Sequence, residues 1–222
     1  MILTTVQVPD SVPERLKRPL GLLTGEVQDL HIARCLLWDL CIDAPENVKL
    51  INGTAPYFFK RLQSILIEHL ILGIARLTDP SLTAGNKNLG FADLFAGSAP
   101  TQLADLQSQA ADIRKIRSKI VAHLDWKAGL DPSTLPGDKI FRKIRACTDI
   151  MVEIINLAWM QWVGGELTMP DSDAVEITNC LEKSVAYDVL EREGLVIQDF
   201  WNAPHDMRQE FLRKARRRGG GA

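Results

Sequence analysis

Apolar residues in this chain recur every three or four positions almost from end to end, and the alternation that marks a half-buried strand is scarce. A chain patterned in this way buries its apolar surface as packed helices, which predicts an all-α fold. Ser11-Val12-Pro13-Glu14 reads as a capping box with proline in the first turn, opening a first helix that Pro19 is expected to kink or restart. Its stripe is Leu20, Leu23, Val27, Leu30, Leu37 and Cys41, with Arg34 where an apolar residue is due and Asp43-Ala44-Pro45 as the end. A second helix, from about Pro56 to Asp79, carries Phe59, Leu62, Leu66, Leu70 and Gly73 on one face. Pro80 stops it, and Ala84 to Asn88 reads as a loop.

A third helix begins near Pro100 and shows Leu103, Leu106, Ala110, Ile113, Ile116, Ile120 and Leu124, before a connector from Gly129 to Gly137. The fourth, from about Lys139 to Trp162, runs through Ile140, Ile144, Cys147, Met151, Ile154 and Ala158 and closes at Gly164-Gly165. A fifth is expected from about Ser172 to Glu193, ending at Gly194, and a short last one from His205 to Arg216. No repeat of 20–50 residues is present, which excludes a solenoid. The expected architecture is a four-helix bundle over residues 1–170 with a C-terminal helical extension, 171–218, packed on it. Residues 219–222, Gly-Gly-Gly-Ala, are expected to be a disordered tail.

Composition narrows the function classes. With 222 residues, 46% of them apolar and 24% charged, the chain can bury a real core, and disorder as a whole-chain state is excluded. The net charge of −2 excludes a general polyanion binder, so any nucleic-acid contact must be local. Charge is nonetheless uneven. Residues 208–222 set six cationic side chains against Glu210 alone, a net of +5, which leaves −7 on residues 1–207. Such a tail can touch RNA, an acidic partner or nothing.

The four cysteines stand far apart with no CxxC pair, which fits a reduced, cytoplasmic protein better than a disulfide framework. The N-terminus lacks the basic and apolar regions of a signal peptide. The most apolar stretch, Ile65 to Leu77, is broken by Glu68, His69 and Arg76 and falls short of the ~20 residues that span a bilayer, so no membrane association is expected. There is no GxGxxG, GxxxxGK[ST], HExxH or GxSxG, and the histidines and cysteines show no metal-ligand spacing; no metal and no cofactor are expected.

The informative stretch is Ile113 to Asp125. At about 100° per residue, Ile113, Ile116, Ile120 and Leu124 form the apolar stripe, with Arg117 about 60° to one side of Ile120 and His123 about 60° to the other. The two are about 9 Å apart along the axis. Both polar residues edge a packed face, and buried charge without compensation is expensive, so they need a partner, a cleft or a ligand. On the residues alone, the competing reading is an arginine that snorkels and a histidine that packs.

Arg117-Ser118-Lys119-Ile120-Val121-Ala122-His123 resembles the R-x(4–6)-H signature of the HEPN superfamily, whose members are α-helical bundles. Ala122-His123-Leu124-Asp125 resembles the AHxD ending of the branch associated with AbiU-type abortive-infection proteins. Ala75 to Pro80 is similar to that branch's RLxDP element. The resemblance covers about Leu20 to Trp162 and implies a HEPN-like bundle. It further implies a metal-independent endoribonuclease of the toxin or phage-defence kind, working as a homodimer on RNA and open to masking by an antitoxin or other regulatory protein. By that analogy His123 is the general acid or base and Arg117 binds the scissile phosphate. Ser118 and Asp125 would support them, although active members usually carry Asn, Asp or His where this chain has Ser118. Arg114, Lys119 and Arg76 are the further candidates for RNA phosphate. Some HEPN domains are non-catalytic dimerisation or partner-binding modules, which is the alternative reading. A helical ligand-binding or signalling domain unrelated to HEPN is a third.

Other polar residues have structural readings beside the functional ones. Arg114 could pair with a carboxylate, reach phosphate or be a plain surface charge. Asp125 could orient His123 or terminate the helix. Arg76 and Asp79, three apart, can bond each other as a latch. Glu68 and His69 suit either a polar contact at a dimer seam or a buried satisfied pair. Arg34 could snorkel or pair with Glu68. The run Lys139, Arg142, Lys143 and Arg145 reads as a solvated face.

Overall fold

The structure is a computed structural model that describes residues 6–43, 45–80, 82–83, 86–95, 100–120, 138–174 and 176–181. The described elements are α1 (Glu14–Cys41), α2 (Pro45–Thr54), α3 (Pro56–Thr78), α4 (Thr101–Ile120) and α5 (Asp138–Trp162). A further helical segment is described between 174 and 181. Between α3 and α4 lie a two-residue antiparallel pairing, β1 (Leu82–Thr83) with β2 (Asn86–Lys87), and a 3₁₀ turn at Phe91–Leu94. The fold is all-α, as the three- and four-residue spacing predicts.

The chain divides into two compact units, one of residues 1–34 and 67–170, the other of residues 35–66 and 171–222. In the first, side-chain contacts link four helices in a closed cycle. Arg76 of α3 bonds Glu26 of α1, Arg114 of α4 bonds the Thr78 carbonyl of α3, and Lys143 of α5 pairs with Asp112 of α4. The cycle closes where Trp159 Nε1 of α5 donates to Thr24 Oγ1 of α1 at 2.8 Å, a buried bond between residues far apart in sequence. Between these links lie the predicted stripes. Leu20, Leu23, Val27 and Leu30 of α1, Leu106, Ala110 and Ile113 of α4, and Ile144, Cys147, Met151, Ile154 and Ala158 of α5 are all buried. Each large aliphatic chain so buried contributes about 1.5–3 kcal/mol. Gly73 has a packing reason: a Cβ there would run into the buried Leu30 side chain, so its absence lets α3 approach α1.

The ends of the helices follow from local chemistry. The Pro13 carbonyl accepts from the amides of Leu16 and Lys17, so α1 begins at Glu14 and the cap falls at Pro13 rather than at Ser11. Pro19 does not restart the helix; α1 runs from Glu14 to Cys41 with the proline inside it. Proline there removes a single i→i−4 bond near the helix start, and the packed face beyond it outweighs that loss. α5 closes as predicted: Gly164 has φ 82°, and its amide donates to the Trp159 carbonyl at 3.1 Å. α2 was not expected. Within it only Ile51 is buried, so no stripe announces it.

In the second unit, Leu40, Ile51, Phe59 and Ala174 form a core cluster with Leu36, Leu62 and Ile177 packed against it. Ser172 Oγ accepts the Ala174 amide and donates to the Asp39 carboxylate at 3.0 Å, as a helix-capping serine does. The predicted helix at 205–216, the expected tail at 219–222, the far half of the predicted fifth helix and the 129–137 connector lie outside the described residues. No helix among the described residues is long and apolar enough to cross a membrane.

Candidate functional site

The site is built where α3 ends and α4 passes it. Thr78 is the last residue of α3; its buried hydroxyl donates back to the Ile74 carbonyl at 2.7 Å, and Pro80 forbids another turn. Asp79 therefore sits just beyond the helix, its side chain 22% exposed. From α4, Arg117 Nη1 donates to Asp79 Oδ2 at 2.5 Å, with the arginine side chain 35% exposed. The R-x(4–6)-H arginine and the aspartate of RLxDP thus meet.

One turn earlier on α4, Arg114 Nη1 donates to the Thr78 carbonyl at 3.1 Å and to Gln107 Oε1 at 3.0 Å, while Nη2 reaches the Gln107 carbonyl at 3.3 Å. A cation on a carbonyl that α3 leaves without a helical donor satisfies that carbonyl and the negative end of the helix dipole. Arg114 is neither a plain surface charge nor paired with a carboxylate; its donors go to neutral acceptors at the helix end. Arg76, 47% exposed, bonds Glu26 rather than serving only its own helix end. The anticipated latch between Arg76 and Asp79 is thus replaced by ties from each of them to a different helix.

Asp79 fixes Arg117 without consuming it. The bond engages one of the five N–H donors of the guanidinium and holds a side chain that otherwise carries about 2 kcal/mol of rotamer entropy. With both partners partly solvated, the pair is worth about 1 kcal/mol or less to stability. An arginine held at a partly open position, with donors to spare, can bind an oxyanion without first being ordered. The structure includes Ser118 and Lys119 in the α4 backbone but leaves their side chains undescribed, and His123 and Asp125 lie outside the described residues.

A second polar cluster joins α1 and α5. Arg34 Nη2 lies 3.3 Å from His31 Nδ1 and 3.8 Å from Asp149 Oδ1, and its buried Nε has no hydrogen-bond partner. Of the two readings of Arg34, a pairing with Glu68 is replaced by this one; Glu68 is exposed, so it and His69 are not a buried pair. Thiol chemistry has no foothold in the core, where burial pushes the Cys147 thiol up to about 12. Burial also raises the Cys41 thiol above its ordinary value. Among the described residues no group of three or more His, Cys, Asp or Glu side chains could hold a metal ion.

The sequence marks Arg117 but not its partner: Asp79 is visible in RLxDP, yet spacing suggests only the short-range pairing with Arg76. A family model described as AbiU2, within HEPN, matches residues 14–178, a span that holds both Asp79 and Arg117. Comparison with curated proteins and with solved structures gives no match.

Proposed function

The chain belongs to the AbiU2 family of HEPN proteins, and from that premise we propose that it is a metal-independent endoribonuclease of the toxin or phage-defence kind. In this reading a cytoplasmic homodimer brings the Arg117 and His123 of both subunits to one cleft, and an antitoxin or regulatory protein can mask it. His123 takes the proton from an RNA 2′-hydroxyl; the 2′-oxygen attacks the adjacent phosphorus; the bond to the 5′-oxygen breaks, and that oxygen leaves with the proton that His123 returns. The product ends in a 2′,3′-cyclic phosphate, and DNA, lacking the hydroxyl, is not cut. A histidine's reference pKa of ~6.5 suits both proton transfers near neutrality. Arg117 holds the scissile phosphate and the charge that builds on it. Ser118 and Asp125 support the pair, while Lys119 and Arg76 add phosphate contacts. Arg114, with its donors on Thr78 and Gln107, is left to fix the helix end.

The observation that carries this reading is the partly exposed Arg117, held by Asp79 with most of its donors unspent. The same ion pair favours the second reading, a non-catalytic HEPN partner-binding protein in which Arg117 is only a latch. RNA cleavage in the presence of EDTA separates them. Cleavage by the parent that leaves cyclic phosphate ends, and that is lost in His123→Ala and Arg117→Ala, supports the nuclease. A well-folded dimeric parent that cuts none of several RNAs leaves the partner-binding reading standing.

A further inference from the structure

Two aromatic rings stand in solvent at the start of α3: Tyr57 is 89% exposed and Phe58 62%. Phe59, next in the chain, is buried in the second unit's core, and the Phe58 ring packs edge-on against it with centroids 5.1 Å apart. Phe58 therefore rests on a buried neighbour and is still mostly open to solvent. Singly exposed apolar residues are ordinary, but these two are interleaved with cations. Lys60 and Arg61 are both exposed. On a helix, Lys60 and Arg61 lie three and four residues beyond Tyr57, and Arg61 lies three beyond Phe58, so each ring has a cation as its neighbour. Ile65, 45% exposed, extends the apolar strip by a turn. No carboxylate occurs from Ala55 to Ile67.

Charge selects the occupant. The chain's own tail, net +5 over residues 208–222, would meet like charge at Lys60 and Arg61. A second copy of this face would do the same. What fits rings flanked by cations is a flexible polyanion with flat apolar faces. We propose that Tyr57, Phe58, Lys60 and Arg61 form a docking platform for single-stranded RNA, with bases stacked on the two rings and phosphates on the two cations. The proposal rests on the reading of RNA as substrate and adds a contact surface to it. The rings leave the helix about 100° apart, so they take bases unstacked from each other, and a duplex cannot offer those.

Binding of a labelled 12-nucleotide single-stranded RNA to the full-length His123→Ala protein, followed by fluorescence anisotropy, tests this without cleavage intervening. Tyr57→Ala and Phe58→Ala are each expected to weaken binding roughly 10-fold, within the range for loss of one stacked base, while Tyr57→Phe binds as the parent does. Lys60→Gln and Arg61→Gln are each expected to flatten the salt dependence by about 0.7 in log–log slope. A duplex of the same sequence binds more weakly. Unchanged affinity in Tyr57→Ala and Phe58→Ala overturns the platform, as does polyglutamate binding as tightly as RNA with the same sensitivity to Tyr57→Ala. The two readings fail separately. Platform-dependent binding by a parent that never cuts RNA removes the nuclease alone; cleavage unaffected by Tyr57→Ala and Phe58→Ala removes the platform alone.

Discussion

Asp79 and Arg117 stand 38 residues apart in sequence and share one hydrogen bond, and that bond separates two kinds of residue loss. Asp79→Ala is expected to cost about 1 kcal/mol or less in urea unfolding, because the pair is partly solvated. On the nuclease reading, RNA cleavage should fall far more, by roughly 10–100-fold, because the guanidinium must then be ordered in each encounter. If cleavage in Asp79→Ala drops no further than stability explains, Arg117 is not poised by Asp79. Arg34 is the opposite case. Its Nε is buried without an acceptor, and Asp149 is 52% exposed, so removing the cation strands no buried anion. Arg34→Leu is expected to hold or raise the unfolding midpoint. Thiol labelling at neutral pH should reach exposed Cys180 readily and leave Cys147 unmodified until the protein unfolds.

At the scale of the helix, the buried bond from Trp159 to Thr24 ties α5 to α1. Thr24→Val keeps the volume and strands the indole N–H, an expected loss of about 1–3 kcal/mol by denaturant titration. Gly164→Ala forces a Cβ into φ 82° and is expected to cost about 1–2 kcal/mol. The long helices were legible because packing uses the period that sequence displays: the six-residue stripe from Ile140 to Ala158 is buried throughout. α2 was not legible, since ten residues that bury Ile51 alone leave no period to read. The β1–β2 pairing, two residues a side, is likewise shorter than any alternation that could announce it. For the site, spacing placed Arg117 beside the apolar stripe. Its partner could not be found that way, because a contact across 38 residues depends on how two helices meet.

For the molecule as a whole, charge is the property that sequence displays best. Deleting residues 208–222 removes +5 and leaves −7 on the remainder; if RNA is the substrate, as proposed, its affinity should fall and its salt dependence become shallower than the parent's. Acid acts through a different pair. The Lys143 hydrogen bond holds the Asp112 carboxyl below the ordinary carboxylate range. A lowered folded value gives stability that is present above the unfolded pKa of ~3.9 and is lost as pH falls through the folded one. Lys143→Met should therefore move the acid unfolding limb to higher pH. The division of the chain also sets an order of events in its synthesis. Leu40, Ile51 and Phe59 leave the ribosome long before Ala174 and Ile177, which complete their cluster, so the second unit cannot close until translation has passed them. A message cut short near the end of α5 would release a chain with that cluster open, and such a product is a substrate for chaperones and proteases.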